Sequence, residues 1–270
     1  MSTPAQRAVR QASGCLAPGG RACFYADLPL TDYRRALELQ RRLVAARNTG
    51  VLDRDVVLML EHPAVFTLGR RGGHRNLTVS PAFLAARRIA VVHVERGGDI
   101  TYHGPGQLVG YPILSLRSPR LAVTDYVSAL EEVMIRTAAD FGVHARRDAR
   151  NRGIWVDNAK LGSIGIAIRR GISFHGFAFN VNLALEPFSW INPCGLQGIG
   201  VTSLAKERRR AVTMADVRRA AKKHMTEILG LLPAATDLET LDALSVRHSA
   251  AGSFSMAPDC PRTTDHAPRA

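Results

Sequence analysis

Three stretches of this sequence hold residue types that could do chemistry. In Asn192-Pro193-Cys194-Gly195 a cysteine stands between proline and glycine. Such a constrained turn can present the sulfur and aim backbone N–H groups at a ligand, although a cysteine there can equally be a small buried apolar residue. In Lys160-Leu161-Gly162-Ser163-Ile164-Gly165 a lysine opens an otherwise apolar, glycine-rich strand. A lysine at a strand end ordinarily points at water. Held near a thiol, it would lower the thiol's pKa, and desolvated, it can act as acid or base near neutrality. The third stretch is Arg96-Gly97-Gly98-Asp99-Ile100-Thr101-Tyr102-His103-Gly104-Pro105-Gly106. Its glycines let backbone approach a ligand, with Arg96 and His103 flanking the gap, while His103 alone reads equally as a hydrogen-bonded core histidine.

Elements of both periods must position these residues. Helical spacing predicts three helices. In 32–47, Tyr33, Leu37, Gln40, Leu43 and Val44 share a face, with Gly50 as the stop. In 125–141, Tyr126, Leu130, Val133, Met134, Ala138 and Phe141 do the same between Thr124 as cap and Gly142. The third begins at Thr213, with Asp216 completing a capping-box pattern, and ends at Gly230 before Pro233. Strand-like runs cover Val56–Leu60, Val65–Leu68, Ile89–Val94, Ile100–His103, Leu108–Leu116, Ile154–Val156, Gly162–Ile168 and Ile172–Val181. Asp157-Asn158 and Arg170-Gly171 sit where tight turns would join the last three. Strands grouped without regular helical alternation predict an α+β fold, and no internal linker divides it.

Composition narrows the function classes. The 270 residues are 46% hydrophobic and 22% charged, which is globular, and no apolar run has the roughly 18 residues of a membrane helix. Thirty-six Lys and Arg against 23 Asp and Glu give +13, a charge that asks for an acidic partner. Residues 1–23 and 234–270 lack sustained periodicity and are expected to be disordered extensions, the second mostly so, with Leu238, Leu241 and Leu244 able to form one short helix. The catalytic body is then 24–233. Four cysteines without a CxxC argue for a reducing compartment, and the N-terminus lacks a secretory apolar core. Its acid-free start, with Arg7, Arg10 and Arg21, leaves a transit peptide open, but a frayed tail on a cytoplasmic protein is the reading carried forward. There is no P-loop, no GxSxG elbow and no metal-ligand spacing, so no metal is expected. Gly104-Pro105-Gly106-Gln107-Leu108-Val109-Gly110 misses dinucleotide spacing by one and reads as a turn between strands.

The same residues carry a resemblance. RGGDITYHGPGQLVGYPIL (96–114), KLGSIGIAIRRGISFHGFAFNVN (160–182) and INPCGLQGIGVTSL (191–204) closely resemble the lipoyl(octanoyl) transferases, which are octanoyl-[acyl-carrier-protein]–protein N-octanoyltransferases, and LEHPAVFTLGRRG (60–72) is similar too. The resemblance runs from about Tyr25 to Pro233. It implies one domain with the biotin/lipoate protein ligase-like α+β fold, a mixed and antiparallel sheet flanked by helices. It also implies transfer of an octanoyl group from octanoyl-acyl carrier protein to a lysine of lipoyl domains of 2-oxoacid dehydrogenases or of the glycine-cleavage H protein. That is the first step of endogenous protein lipoylation, and it uses no cofactor. By matching position Cys194 is the nucleophile that becomes an acyl thioester, and Lys160 is its activator. Substrate-binding segments map onto Arg96, Gly97, Gly98, Asp99, Ile100, Thr101, Tyr102 and His103, onto Ser163, Ile164 and Gly165, and onto Gly176, Phe177 and Ala178.

The implied chemistry is self-consistent. Thiolate attack on a thioester exchanges like for like, and aminolysis to the amide then runs downhill without ATP. Small residues suit a slot for an unbranched C8 chain, whose seven carbons beyond the carbonyl are worth roughly 5–6 kcal/mol at about 0.8 per CH2. Lys206, Arg208, Arg209, Arg210, Arg218, Arg219, Lys222 and Lys223, against Glu207 and Asp216, form a basic run that could steer an acidic carrier, or could be an ordinary solvated helix face. The nearest alternative is an ATP-dependent lipoate or biotin protein ligase on the same fold, since Gly69-Arg70-Arg71-Gly72-Gly73 resembles the loops that ligases close over an acyl-adenylate. Nucleic-acid binding rests on charge alone, without stacking aromatics or a motif, and is set aside together with a membrane partner.

Overall fold

The computed structural model describes residues 20–117, 121–192 and 200–251. Its main sheet starts earlier than the sequence suggested. β1 (Arg21–Leu30) begins inside the expected extension, whose last residues Arg21–Cys23 are its first, and it buries Cys23, Tyr25, Ala26 and Leu28. It runs parallel to both β2 (Asp55–Glu61) and β12 (Leu231–Ala235). Sheet order is then β12-β1-β2-β6-β10-β9-β8-β7, with β6 (Gln107–Ile113), β7 (Arg146–Arg147), β8 (Gly153–Val156), β9 (Ala159–Arg169) and β10 (Ile172–Asn180) antiparallel to their neighbours in that order, while β9 also takes a parallel partner. β11 (Gly200–Val201) pairs with β9 at Ala159 and Lys160, taking up the edge that β10 leaves once its own pairing ends at Gly162. A second sheet, β4-β3-β5, joins Ala90–His93, Val65–Leu68 and Ile100–His103. This is the expected mixed α+β architecture in one domain.

Both faces of the main sheet are covered, which is why β2 and β10 read as near-continuous apolar runs. Val56, Leu58 and Leu60 face α1 (Tyr33–Thr49), while Val57 and Met59 face α3 (Val123–Asp140) and α5 (Met214–Leu229). α1 is capped by the Asp32 carboxylate, which accepts from the backbone N–H groups of Arg34 and Arg35, and it closes at left-handed Gly50. Two other expected caps do not form. α3 begins after Ala122, leaving Thr124 inside the helix, and Asp125 supplies the negative charge favoured in its first turn. Thr213 does flank α5, but its side chain bonds nothing there, and Asp216 pairs with Arg219 at 2.9 Å instead of reaching back.

The C-terminal segment departs most from expectation. α6 (Leu238–Ala251) continues well past 233 and lies on α1, with Leu241 buried and Arg42 paired to Asp242. The short helices α2 (Pro81–Ala86) and α4 (Leu204–Arg208) complete the α elements among the described residues. The disorder expected before Gly20 and after Ala251 falls outside the described residues. At the two expected tight turns Asp157 has φ +49°, and Arg170 and Gly171 have φ +48° and +75°, which is the geometry a right-twisted hairpin needs. No helix among the described residues is long and apolar enough to cross a membrane.

Candidate active site

A cavity of about 500 Å³ opens between the two sheets. One wall is the β9–β10 ladder, and there two stretches singled out separately in the sequence prove to be cross-strand partners: Ser163 opposite Ala178, Ile164 opposite Phe177 and Gly165 opposite Gly176. The facing wall is the 96–99 loop with β5, contributing Arg96, Gly98, Asp99, Ile100, Thr101 and His103. Gly165 must lack a side chain because a Cβ would stand 2.9 Å from Arg96 Cδ and 3.1 Å from the Gly97 carbonyl.

Two members of the expected set lie off the cavity wall. Tyr102 packs into a cluster with Phe66 and Phe188, on the face of β5 opposite to that of Thr101 and His103. Gly97 turns its N–H onto the Ile166 carbonyl at 2.8 Å, fastening the loop to β9.

The glycine loop is held by charge. The Arg96 guanidinium is buried and donates to the Thr67 carbonyl (2.6 Å), the Thr67 hydroxyl (2.8 Å) and the Gly97 carbonyl (3.0 Å). The Asp99 carboxylate accepts from Asn76 Nδ2 and from the Ile100 N–H. Backbone N–H groups of Gly69, Arg70 and Arg71 donate to the carbonyls of Asp99, Arg96 and Gly98, so loops 69–71 and 96–99 are zipped together.

Lys160 sits where three strands meet. It pairs with Trp155 of β8 and Val201 of β11, and its carbonyl accepts from the Thr202 N–H at 3.0 Å. Its stem runs beside Gly153, where a Cβ would stand 2.8 Å from Lys160 Cε at a φ of +122°. Its ammonium lies 5.2 Å from the centre of the Trp155 ring. Cys194 lies outside the described residues, but Asn192 and Val201, on either side of that segment, both line the cavity. The one cysteine among the described residues, Cys23, is no rival. Desolvation, followed by the Asp55 charge, pushes its thiol up to about 11.

His103 is governed by a chain of amides. Asn180 Nδ2 donates to the Thr202 carbonyl (2.9 Å), Gln107 Nε2 donates to Asn180 Oδ1 (2.9 Å), and Gln107 Oε1 is left to accept from His103 Nδ1 (2.7 Å). Since the Thr202 carbonyl can only accept, every link runs one way, and His103 carries its proton on Nδ1 with a bare lone pair on Nε2. Burial above all, with the Arg96 charge in the same direction, holds this ring neutral, well below the usual histidine range. Tyr33 stacks on it at 5.6 Å between ring centres. His62 donates Nδ1–H to the Thr31 carbonyl (2.7 Å) and accepts the Tyr111 hydroxyl at Nε2 (2.7 Å), while desolvation lowers it to about 4.

Tyr33, Tyr111, His175, Asn180 and Gln107 belong to the cavity or to its support, and none of them stood out in the sequence. Gln107, Tyr111, His175 and Asn180 lie inside the resembling runs 96–114 and 160–182, where no role attaches to them, and the turn before Gln107 also enters the rejected nucleotide fingerprint. The turn does join two strands, and in doing so it carries the chain from one sheet to the other. Among the described residues no group of three or more His, Cys, Asp or Glu side chains could hold a metal ion.

Residues 32–226 match the lipoyl protein ligase A/B catalytic domain. The chain belongs to that family. The octanoyltransferase of Desulfotalea psychrophila is 54% identical over 209 residues, spanning 77% of this chain and 94% of that protein. That of Geobacter sulfurreducens is 45% identical over 194 residues, spanning 72% and 79%. Among solved structures, a lipoate-protein ligase A bound with ATP superposes with a TM-score of 0.67 at 17% identity, over 88% of this chain and 96% of the other. A bi-partite lipoate protein ligase from Thermoplasma acidophilum gives 0.66 at 17% identity, over 84% and 91%. At such identity the likeness speaks for the fold, which this lipoyl ligase A/B member shares.

The sequence's basic run is dispersed by this fold. Arg218 turns inward to the Leu28 and Met59 carbonyls (3.2 and 3.1 Å), Asp27 (3.3 Å) and Glu61 (3.5 Å). Lys222 lies over the Tyr25 ring at 4.4 Å, and Arg208 stands 5.8 Å from that of Phe141. These three cations serve the fold, while Lys206, Arg209, Arg210, Arg219 and Lys223 of the same run are exposed.

Proposed function

We propose that this chain is an acyltransferase that moves an octanoyl group from octanoyl-acyl carrier protein to a lysine of lipoyl domains or of the glycine-cleavage H protein, in the cytoplasm and without ATP. The observation that carries the reading is the cavity itself. A C8 chain fits a slot of this volume between glycine-bearing strands, and Lys160 stands at its wall paired with Val201, while Asn192, on the other side of the Cys194 segment, lines the same cavity. In the first step the Cys194 thiolate attacks the donor carbonyl, and the carrier's C–S bond breaks as its thiolate leaves and takes a proton. In the second, the acceptor amine attacks the acyl-cysteine and the new C–N bond forms as the Cys194 C–S bond breaks. The amine's proton passes to a base, a role for Lys160 once it is neutral. An ammonium held near the sulfur would also favour the Cys194 thiolate.

Intact mass tests this directly. Mixed with octanoyl-carrier protein without ATP, wild type gains one octanoyl group that hydroxylamine removes and that passes on to a lipoyl domain, whereas Cys194→Ser gains no hydroxylamine-labile acyl group. If octanoylation of the acceptor instead requires free octanoate and ATP, the protein is a ligase and Cys194 is structural.

A further inference from the structure

A second groove, of about 700 Å³, adjoins the acyl cavity. The two share Arg71, Gly98, Asn151, Ile164 and Gly165, so they are separated by little more than one rim of backbone. Its chemistry differs from that of the cavity. Arg71, Arg150 and Arg152 stand around it, and the acid among its lining residues, Asp148, is already gripped by Arg150 through both carboxylate oxygens at 2.8 and 2.9 Å. Arg71 forms no ion pair among the described residues. Arg152 has only a 3.7 Å approach to Glu131, whose carboxylate Arg147 holds more closely at 3.2 Å. The groove therefore presents cations to whatever occupies it.

We propose that this groove holds the phosphate end of the donor's pantetheine arm while the octanoyl chain lies in the cavity. This inference rests on the transferase reading above. Such a donor is apolar at one end, amide-bearing in the middle and anionic at the other, and the protein offers matching surfaces in the same order. The cavity takes the chain. The shared rim of Gly98 and Asn151 offers backbone and amide groups to the middle, and Asn151 is tied to the Lys160 side of the cavity by the Trp155 indole N–H on its carbonyl at 3.2 Å. Guanidinium groups match phosphate geometry and prefer it to a neutral group.

The test uses the full chain and two donors that differ only in one phosphate, octanoyl-pantetheine and octanoyl-4′-phosphopantetheine, with a lipoyl domain as acceptor. Wild type is expected to show a KM roughly ten- to a hundredfold lower for the phosphorylated donor, the effect of one or two charge-assisted contacts. Arg71→Gln and Arg152→Gln should each shrink that ratio several-fold. Because the ratio is taken within one preparation, partial misfolding cannot imitate the result. An equal KM for both donors in wild type, or an undiminished ratio in both variants, overturns the inference while leaving transferase activity intact. No transfer from either donor would instead sink the transferase reading. ATP with free octanoate as the sole productive phosphate-bearing combination would assign the groove to a nucleotide and overturn the proposal.

Discussion

Two basic regions of this molecule teach opposite lessons. In the run from Lys206 to Lys223 the cations are close in sequence, yet the fold divides them, and Arg218 is used as a strut between β1, β2 and Glu61. Around the acyl cavity and the groove beside it the arginines come from positions 71, 96, 150 and 152, three separate stretches of chain, and they converge because two loops and the β7–β8 connection meet there. Charge density along the chain measures solvation as much as function. Charge density in space, beside a cavity, points to a ligand.

The largest effect that would sharpen this contrast is expected at Arg96. Lysine there keeps the charge but cannot span Thr67 and the Gly97 carbonyl together, so Arg96→Lys should lower kcat/KM about a hundredfold, the cost of one or two charge-assisted bonds. Activity within a fewfold of wild type would show that the loop holds without its fork.

Arg218→Ala should act on stability instead. Removing a largely buried cation from two carbonyls and two carboxylates costs about 3 kcal/mol, read as a lower denaturant midpoint. Glu61 also accepts from the Gly106 N–H at 2.8 Å, so any loss of activity should come through the turn that follows His103. An unchanged midpoint would return Arg218 to the class of surface charges.

Acid should separate the regions more gently. His62 is held at about 4, against about 6.5 when unfolded, so the unfolded chain binds its proton first. Its contribution is complete above pH 6.5 and is lost progressively as pH falls toward 4, with His103 and His175 acting in the same direction. Thermal unfolding from pH 7 to 4 should therefore show a falling Tm with a shallower slope in His62→Gln. Identical slopes would assign the acid loss to other groups. The smallest effect belongs to Arg209, Arg210 and Lys223 changed together to Ala, with stability within about 0.5 kcal/mol of wild type. A strong, salt-dependent loss of carrier-dependent activity in that variant would restore the run as a docking surface.

Much of the fold was legible because its signals are local. β3 and β5 appear at the residues their alternation predicts, and α1 begins and ends within two residues of its predicted limits. β1 was hidden because Arg21, Asp27 and Pro29 dilute its pattern and its partners lie far away in the chain. α6 looked like tail because it is held by α1 rather than by a strong stripe of its own. In the candidate site, described residues of the three long motifs line the cavity, whereas Tyr33, Gln107 and Asn180 act through contacts between distant elements that no short window contains.

The amide chain from Thr202 through Asn180 and Gln107 to His103 has a grammar as well as a geometry. Each side chain must be an acceptor on one side and a donor on the other, so Asn180→Asp or Gln107→Glu would reverse a link that its neighbours cannot reverse with it. His103, Gln107 and Asn180 therefore behave as one unit, in which a change at any position is felt at the other two.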